Sequence, residues 1–243
     1  MNNFLKKIVE KKQKDLNQIK QNGFLNLPEN KMVIIAEIKL ASPTVLHFES
    51  EKNIFKRALD YKQAGADAIS IITEKHFFKG STEFITRIKK SINIPILQKD
   101  FVIDPYQIYE AKTIGANALL LIAKIVNKKT LIKFVALCHE IGVEPVVEIN
   151  DQSDFKKVMA TSAKIIAVNA RNLETFAVNV DLACQLMEKI PDRFIKLGFS
   201  GIKSSSEVKK YQEAGAKGVL VGTSLMKTNN IKSFIKELKN YES

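Results

Sequence analysis

Residues 61–72 read YKQAGADAISII, and the same rhythm returns in AKTIGANALLLI (111–122), CHEIGVEPVVEI (138–149) and YQEAGAKGVLVG (211–222). In each, a helix-like stretch ends at a glycine (Gly65, Gly115, Gly142 or Gly215) and a β-branched or leucine-rich run follows. Glycine takes the left-handed conformation just past a helix C-terminus without steric penalty, so each copy reads as a helix-to-strand turn. Successive glycines are 50, 27 and 73 residues apart. These intervals approximate two, one and three units of about 25 residues, a period that predicts about eight strand–helix units in the chain.

The remaining strands fall where that spacing requires them, in VIIAEIK (33–39), IPILQKD (94–100), AKIIAVNAR (163–171) and RFIKLGFSG (193–201). Near-continuous apolar strands alternating with helical patterns argue for a parallel sheet covered by helices. The reading is an α/β fold, a (β/α)8 TIM barrel spanning residues 1–243 as one domain. A doubly wound open sheet is the alternative, but no GxGxxG-like turn follows the first strand.

That first strand continues as VIIAEIKLASP (33–43), where Glu37 and Lys39 fall on the same face as Ile35. Opposite charges facing a barrel interior need a reason. The C-terminal ends of the other strands carry Lys99 and Asp100, Glu148, Asn169 and Arg171, and Ser200, whereas their N-terminal halves are mostly aliphatic. In a barrel all C-terminal ends open on one mouth, where sites of this fold are built. Buried charges rarely stabilise more than an apolar core does, so a converging set points to function rather than to structural salt bridges. Two lysines near two carboxylates are suited to acid–base chemistry near neutral pH.

The loops after the last two strands, FSGI and VGTS, place Ser200, Gly201, Gly222 and Thr223 at equivalent positions of consecutive repeats. Glycine admits close approach of backbone N–H groups to an anion, and in barrels this is the usual phosphate position. Ser42 follows the first strand and offers a further hydroxyl. Phe78, from HFFKG, and Phe101, beside Lys99, offer apolar walls for a flat group.

Composition narrows the partners. The chain is 45% hydrophobic and 26% charged, ordinary for a globular protein. Its net charge of +12 comes from lysines interleaved with acidic residues over helical patterns, without a nucleic-acid-binding motif. An anionic small molecule is therefore expected as partner, and nucleic acid is not. No apolar run reaches the roughly 18 residues that span a bilayer. The opening MNNFLKKIVEKKQKDLNQIK lacks a signal-peptide core, so a cytoplasmic protein without a membrane partner is expected. Its apolar positions Leu5, Ile8, Leu16 and Ile19 form one helical stripe, predicting an N-terminal helical extension over residues 1–30 that packs on the barrel. Cys138 and Cys184 form no CxxC pair, and His47, His76 and His139 lack metal-ligand spacing, so no metal is expected. The oligomeric expectation is a monomer or a weak homo-oligomer.

The motifs AEIKLASP, FFKGSTEF, PILQKDFVIDPYQIYEAKTIGANALLLI, VEIN, NARNLETF, SGI and VGTSLM resemble those of the indole-3-glycerol phosphate synthase family along nearly the whole chain. The resemblance implies conversion of 1-(o-carboxyphenylamino)-1-deoxyribulose 5-phosphate to indole-3-glycerol phosphate, with loss of CO2 and water and no cofactor. It implies Lys99 as general acid and Lys39 as the substrate-carboxylate partner. It also implies proton transfer by Glu148 or Glu37, an assignment left open, with Asn169 and Arg171 positioning the ring closure. Phe78, Phe101, Leu120 and Leu173 would lie against the aromatic ring. Ser42, Ser200, Gly201, Gly222 and Thr223 would hold phosphate.

Three departures from the family pattern stand out. Phe199 occupies a position where the family usually has glutamate. The loop after the first strand reads SPTVLH where S-P-S-K-G is common, and residues 20–33 form a shorter spacer than usual. A related sugar-phosphate-binding barrel with reduced or lost synthase activity is the alternative that Phe199 suggests. A sugar-phosphate isomerase or a Schiff-base aldolase using Lys39 or Lys99 is a further one.

Overall fold

In the computed structural model, which describes residues 24–25, 31–43, 45 and 47–240, eight parallel strands pair in sequence order and the last returns to the first. The elements are β1 (Val33–Ile38), α1 (Ile54–Gln63), β2 (Ala68–Ile72), α2 (Glu83–Lys89), β3 (Ile96–Lys99) and α3 (Pro105–Thr113). They continue with β4 (Ala118–Ile122), α4 (Lys128–Ile141), β5 (Glu144–Ile149), α5 (Gln152–Val158), β6 (Ile165–Asn169) and α6 (Val180–Glu188). β7 (Ile195–Phe199), α7 (Ser205–Glu213), β8 (Gly218–Val221), the short α8 (Thr223–Lys227) and α9 (Ile231–Lys239) complete the described part. This is the TIM barrel that the repeat predicts. The expected N-terminal helix, and most of the short spacer after it, lie outside the described residues.

The four repeat glycines turn helix into strand as read: Gly65, Gly115, Gly142 and Gly215 sit at φ of 91°, 88°, 72° and 93°. Strand alternation then divides the side chains between two layers. Val33, Ile35, Leu97, Leu120, Val146, Ala167, Leu197 and Phe199 fill the barrel interior. Ile34, Ala36, Ile38, Ile69, Ile71, Val147 and Val168 face outward into the layer shared with the helices. Each fully buried aliphatic side chain contributes roughly 1.5–3 kcal/mol of transfer free energy, so the two layers carry most of the barrel's stability.

Local signals fix where helices begin at the mouth. Asp104 accepts the Tyr106 N–H, Gln107 reaches back to the Asp104 N–H, and Pro105 opens α3. Gln107 also donates to the Phe101 carbonyl at 3.1 Å, so the cap of α3 sets the path of the chain after Lys99.

Candidate active site

Every candidate side chain, from Glu37 on β1 to Thr223 on α8, lines one cavity of about 930 Å³ at the C-terminal mouth of the barrel. At its floor the Glu37 carboxylate, 5% exposed, faces both lysines. Oε1 lies 3.2 Å from Lys39 Nζ, and Oε2 lies 3.9 Å from Lys99 Nζ. Lys39 also donates to Thr223 Oγ1 at 3.0 Å and stands 5.0 Å above the Phe48 ring. The strand with two opposite charges therefore ends in a charge cluster built from β1, β3 and α8.

Glu148 on β5 is the second buried carboxylate, 1% exposed. Its Oε1 accepts from Asn169 Nδ2 at 3.0 Å, while its buried Oε2 has no hydrogen-bond partner. Burial pushes the Glu148 carboxyl above its usual range, against the pull of Lys99 and the Asn169 hydrogen bond. Burial acts on Glu37 too, but Lys39 and Lys99 together outweigh it and hold that carboxyl below its usual range. Two carboxylates on one floor are thus driven apart, one fixed as an anion and one with raised proton affinity.

Asn169 and Arg171 come from the end of β6. The Asn169 side-chain oxygen accepts the Arg171 N–H at 3.0 Å, and Arg171 Nη1 donates to the Phe176 carbonyl at 3.0 Å. Asn150 holds the turn from below, donating to the carbonyls of Asn169 at 2.9 Å and Arg171 at 2.8 Å. Nothing in the sequence marks Asn150, because its side chain works on backbone carbonyls and does not line the cavity.

Opposite this group lie the loops after β7 and β8. Ser200 and Gly201 take φ of 70° and 85° in succession, and the Tyr211 hydroxyl is shared between the carbonyls of Phe199 and Ser200, each at 3.1 Å. Ser224 Oγ donates to the Ile202 carbonyl at 2.6 Å, joining the two loops. Gly222 has a reason beyond anion approach. A Cβ there would meet Glu37 Oε1 at 2.3 Å, so glycine is what lets the Glu37 carboxylate sit at the floor. Ser42 accepts the Val45 N–H at 3.1 Å in the loop after β1.

The aromatic wall is also assembled here. Phe78 and Phe101 approach with ring centroids 6.4 Å apart, and Leu120 and Leu173 flank the barrel's apolar floor. Phe199 is 1% exposed and sits in that floor. It adds apolar surface to the floor of the cavity. Among the described residues no group of three or more His, Cys, Asp or Glu is disposed to hold a metal. Nor is any described helix long and apolar enough to cross a membrane.

Residues 3–238 match the family model described as indole-3-glycerol phosphate synthase. The chain belongs to the indole-3-glycerol phosphate synthase family. An indole-3-glycerol phosphate synthase of Nautilia profundicola is 40% identical over 238 residues, covering 98% of this chain and 91% of that one. One from Caldanaerobacter subterraneus is 38% identical over 248 aligned residues, covering 98% and 96%. The multifunctional tryptophan biosynthesis protein of Schizosaccharomyces pombe is 38% identical over 227 residues, which are 91% of this chain and 30% of that protein. Among solved structures, 3-hexulose-6-phosphate synthase superposes with a TM-score of 0.67 at 17% identity, covering 85% of this chain and 98% of that one. At that identity the likeness shows the barrel alone.

Proposed function

We propose that this chain closes the indole ring of indole-3-glycerol phosphate from 1-(o-carboxyphenylamino)-1-deoxyribulose 5-phosphate, releasing CO2 and water without a cofactor. The observation that carries the reading is the Glu37 carboxylate shared by Lys39 and Lys99, facing a second carboxylate of raised proton affinity across one cavity.

The ring carbon bearing the carboxylate attacks the ribulose ketone, and Lys99 donates a proton to the ketone oxygen as negative charge develops there. Lys39 holds the substrate carboxylate until CO2 leaves and its electron pair returns to the ring. The new hydroxyl then departs as water with a proton from a lysine of the pair. The carbon next to nitrogen loses its proton, completing the indole double bond. Glu148 suits that last step, since its Oε2 is unpartnered, whereas both Glu37 oxygens face ammonium groups. Glu37 pairs with both lysines and keeps them aimed into the cavity. Phe78, Phe101, Leu120 and Leu173 pack on the anthranilate ring, with Asn169 and Arg171 orienting the attack. Ser42, Ser200, Gly201, Gly222 and Thr223 bind the phosphate.

The test is a steady-state assay with the carboxyphenylamino substrate, following product by indole fluorescence. Turnover is expected from the wild-type chain. No turnover, with Phe199→Glu failing to restore any, would overturn the reading.

A further inference from the structure

Strand β2 contributes no ionisable group to the cavity, yet its end touches the strand that carries Lys99 at three points. Thr73, the residue after β2, is 1% exposed. Its N–H donates to the Lys99 carbonyl at 3.0 Å. Its Oγ1 accepts from Gln98 Nε2 at 3.2 Å and donates to Asp100 Oδ2 at 2.5 Å. The other Asp100 oxygen accepts the Phe101 N–H at 2.8 Å. One hydroxyl therefore grips both chain neighbours of Lys99, from the layer behind the sheet.

We infer that Thr73 is a positioning residue for the proposed ring closure: its hydroxyl clamps Gln98 and Asp100 and thereby aims the Lys99 ammonium across the cavity. The inference rests on Lys99 acting as the general acid. Geometry explains why such a clamp is needed. Lys99 is the last residue of β3, one past the last pairing with β4, and its ammonium lies 3.9 Å from Glu37, farther than Lys39 does. A flexible lysine at a strand end is held by its backbone more than by its ion pair, and Thr73 fixes that backbone on both sides. A hydroxyl that both accepts and donates is required. Valine matches threonine in shape but offers neither function, and leaves Gln98 Nε2 and Asp100 Oδ2 without this partner.

The experiment compares Thr73→Val with Thr73→Ser. Misplacing a reacting group by a fraction of an ångström to an ångström costs up to about a hundredfold, so Thr73→Val is expected to lower kcat by between about tenfold and a hundredfold. KM should stay within about twofold, because no substrate contact is removed. Thr73→Ser, which keeps the hydroxyl, is expected to recover most of the lost kcat. A readout that needs no turnover separates this inference from the functional reading. The lysines are reductively methylated with 13C-formaldehyde, and the Lys99 resonance is assigned by its absence in Lys99→Arg. That resonance should shift in Thr73→Val and stay in place in Thr73→Ser. A wild-type kcat in Thr73→Val, or an unmoved Lys99 resonance, overturns the clamp. If Thr73→Val yields no folded protein, Asp100→Ala cuts the same clamp from its solvent side and must give the same shift. Inactive wild-type protein with the expected NMR shifts would sink the reaction assignment and leave the clamp standing.

Discussion

Strand β5 carries two carboxyl groups four residues apart on one face, Glu144 at its start and Glu148 near its end. Burial pushes both above the usual carboxylate range, and each has one buried oxygen without a hydrogen-bond partner. Their surroundings differ. Glu144 lies at the closed end of the barrel, and the charges that act on it, His139 and Lys164, are remote from the cavity. Glu148 lies at the mouth, with Lys99 acting on it and Asn169 holding one oxygen. Burial alone thus produces a carboxyl of raised proton affinity at either end. Only the end with a facing ammonium and an open cavity can turn that affinity into proton transfer.

The comparison can be broken most forcefully from the ammonium side. Lys99→Met removes the proposed general acid, and kcat is expected to fall by about 10²–10⁴-fold with the fold retained. Next, Glu148→Gln should lower kcat by about a hundredfold. In the proposed reaction Glu148 must be ionised to accept the proton. As pH falls through its raised pKa the group protonates, so the acid limb of kcat/KM should lie above the usual carboxylate range. That limb should vanish with the glutamine, as a pH–rate series will show.

Gly222→Ala puts a Cβ against Glu37 Oε1. It is expected to displace that carboxylate and cost about tenfold or more in kcat, a smaller loss because no reacting group is deleted. The mildest change in rate belongs to Glu144→Gln, which should leave kcat unaltered. Its effect is on stability. A carboxyl whose pKa is higher in the folded protein than in the unfolded chain favours folding at low pH and loses that contribution as pH rises through the folded pKa. Glu144→Gln should therefore melt higher than the wild type at neutral pH, with the gap closing toward pH 4. A fall in kcat for Glu144→Gln would show that the two ends of β5 are not independent.

Much of the molecule was legible in the letters. The glycine period gave the eight units because a left-handed turn residue has few substitutes, and strand alternation together with their place at the strand's C-terminal end put Glu37 and Lys39 at the mouth. The cavity lining could be read because a barrel brings every strand end to one place. What escaped the reading depends on geometry transverse to the strands. Gly222 looked like part of an anion loop, and its close approach to Glu37 emerges only from the register that sets β8 beside β1. Thr73 lies in no quoted motif, and Gln98 and Asn150 lie within theirs with nothing to mark a role. They face away from the cavity or bind backbone atoms, and no periodicity in one strand tells which outward-facing side chains meet across two. Phe48 under Lys39 is likewise set by the course of the loop after β1.

One bond ties the two ends of the barrel together at the cavity. Lys39 and Thr223, 184 residues apart, meet only because β8 zips onto β1 and shuts the ring. A growing polypeptide that has not yet delivered its eighth strand lacks both the glycine that accommodates Glu37 and the hydroxyl that steadies its lysine. Closing the ring and completing the floor of the cavity are therefore one structural event.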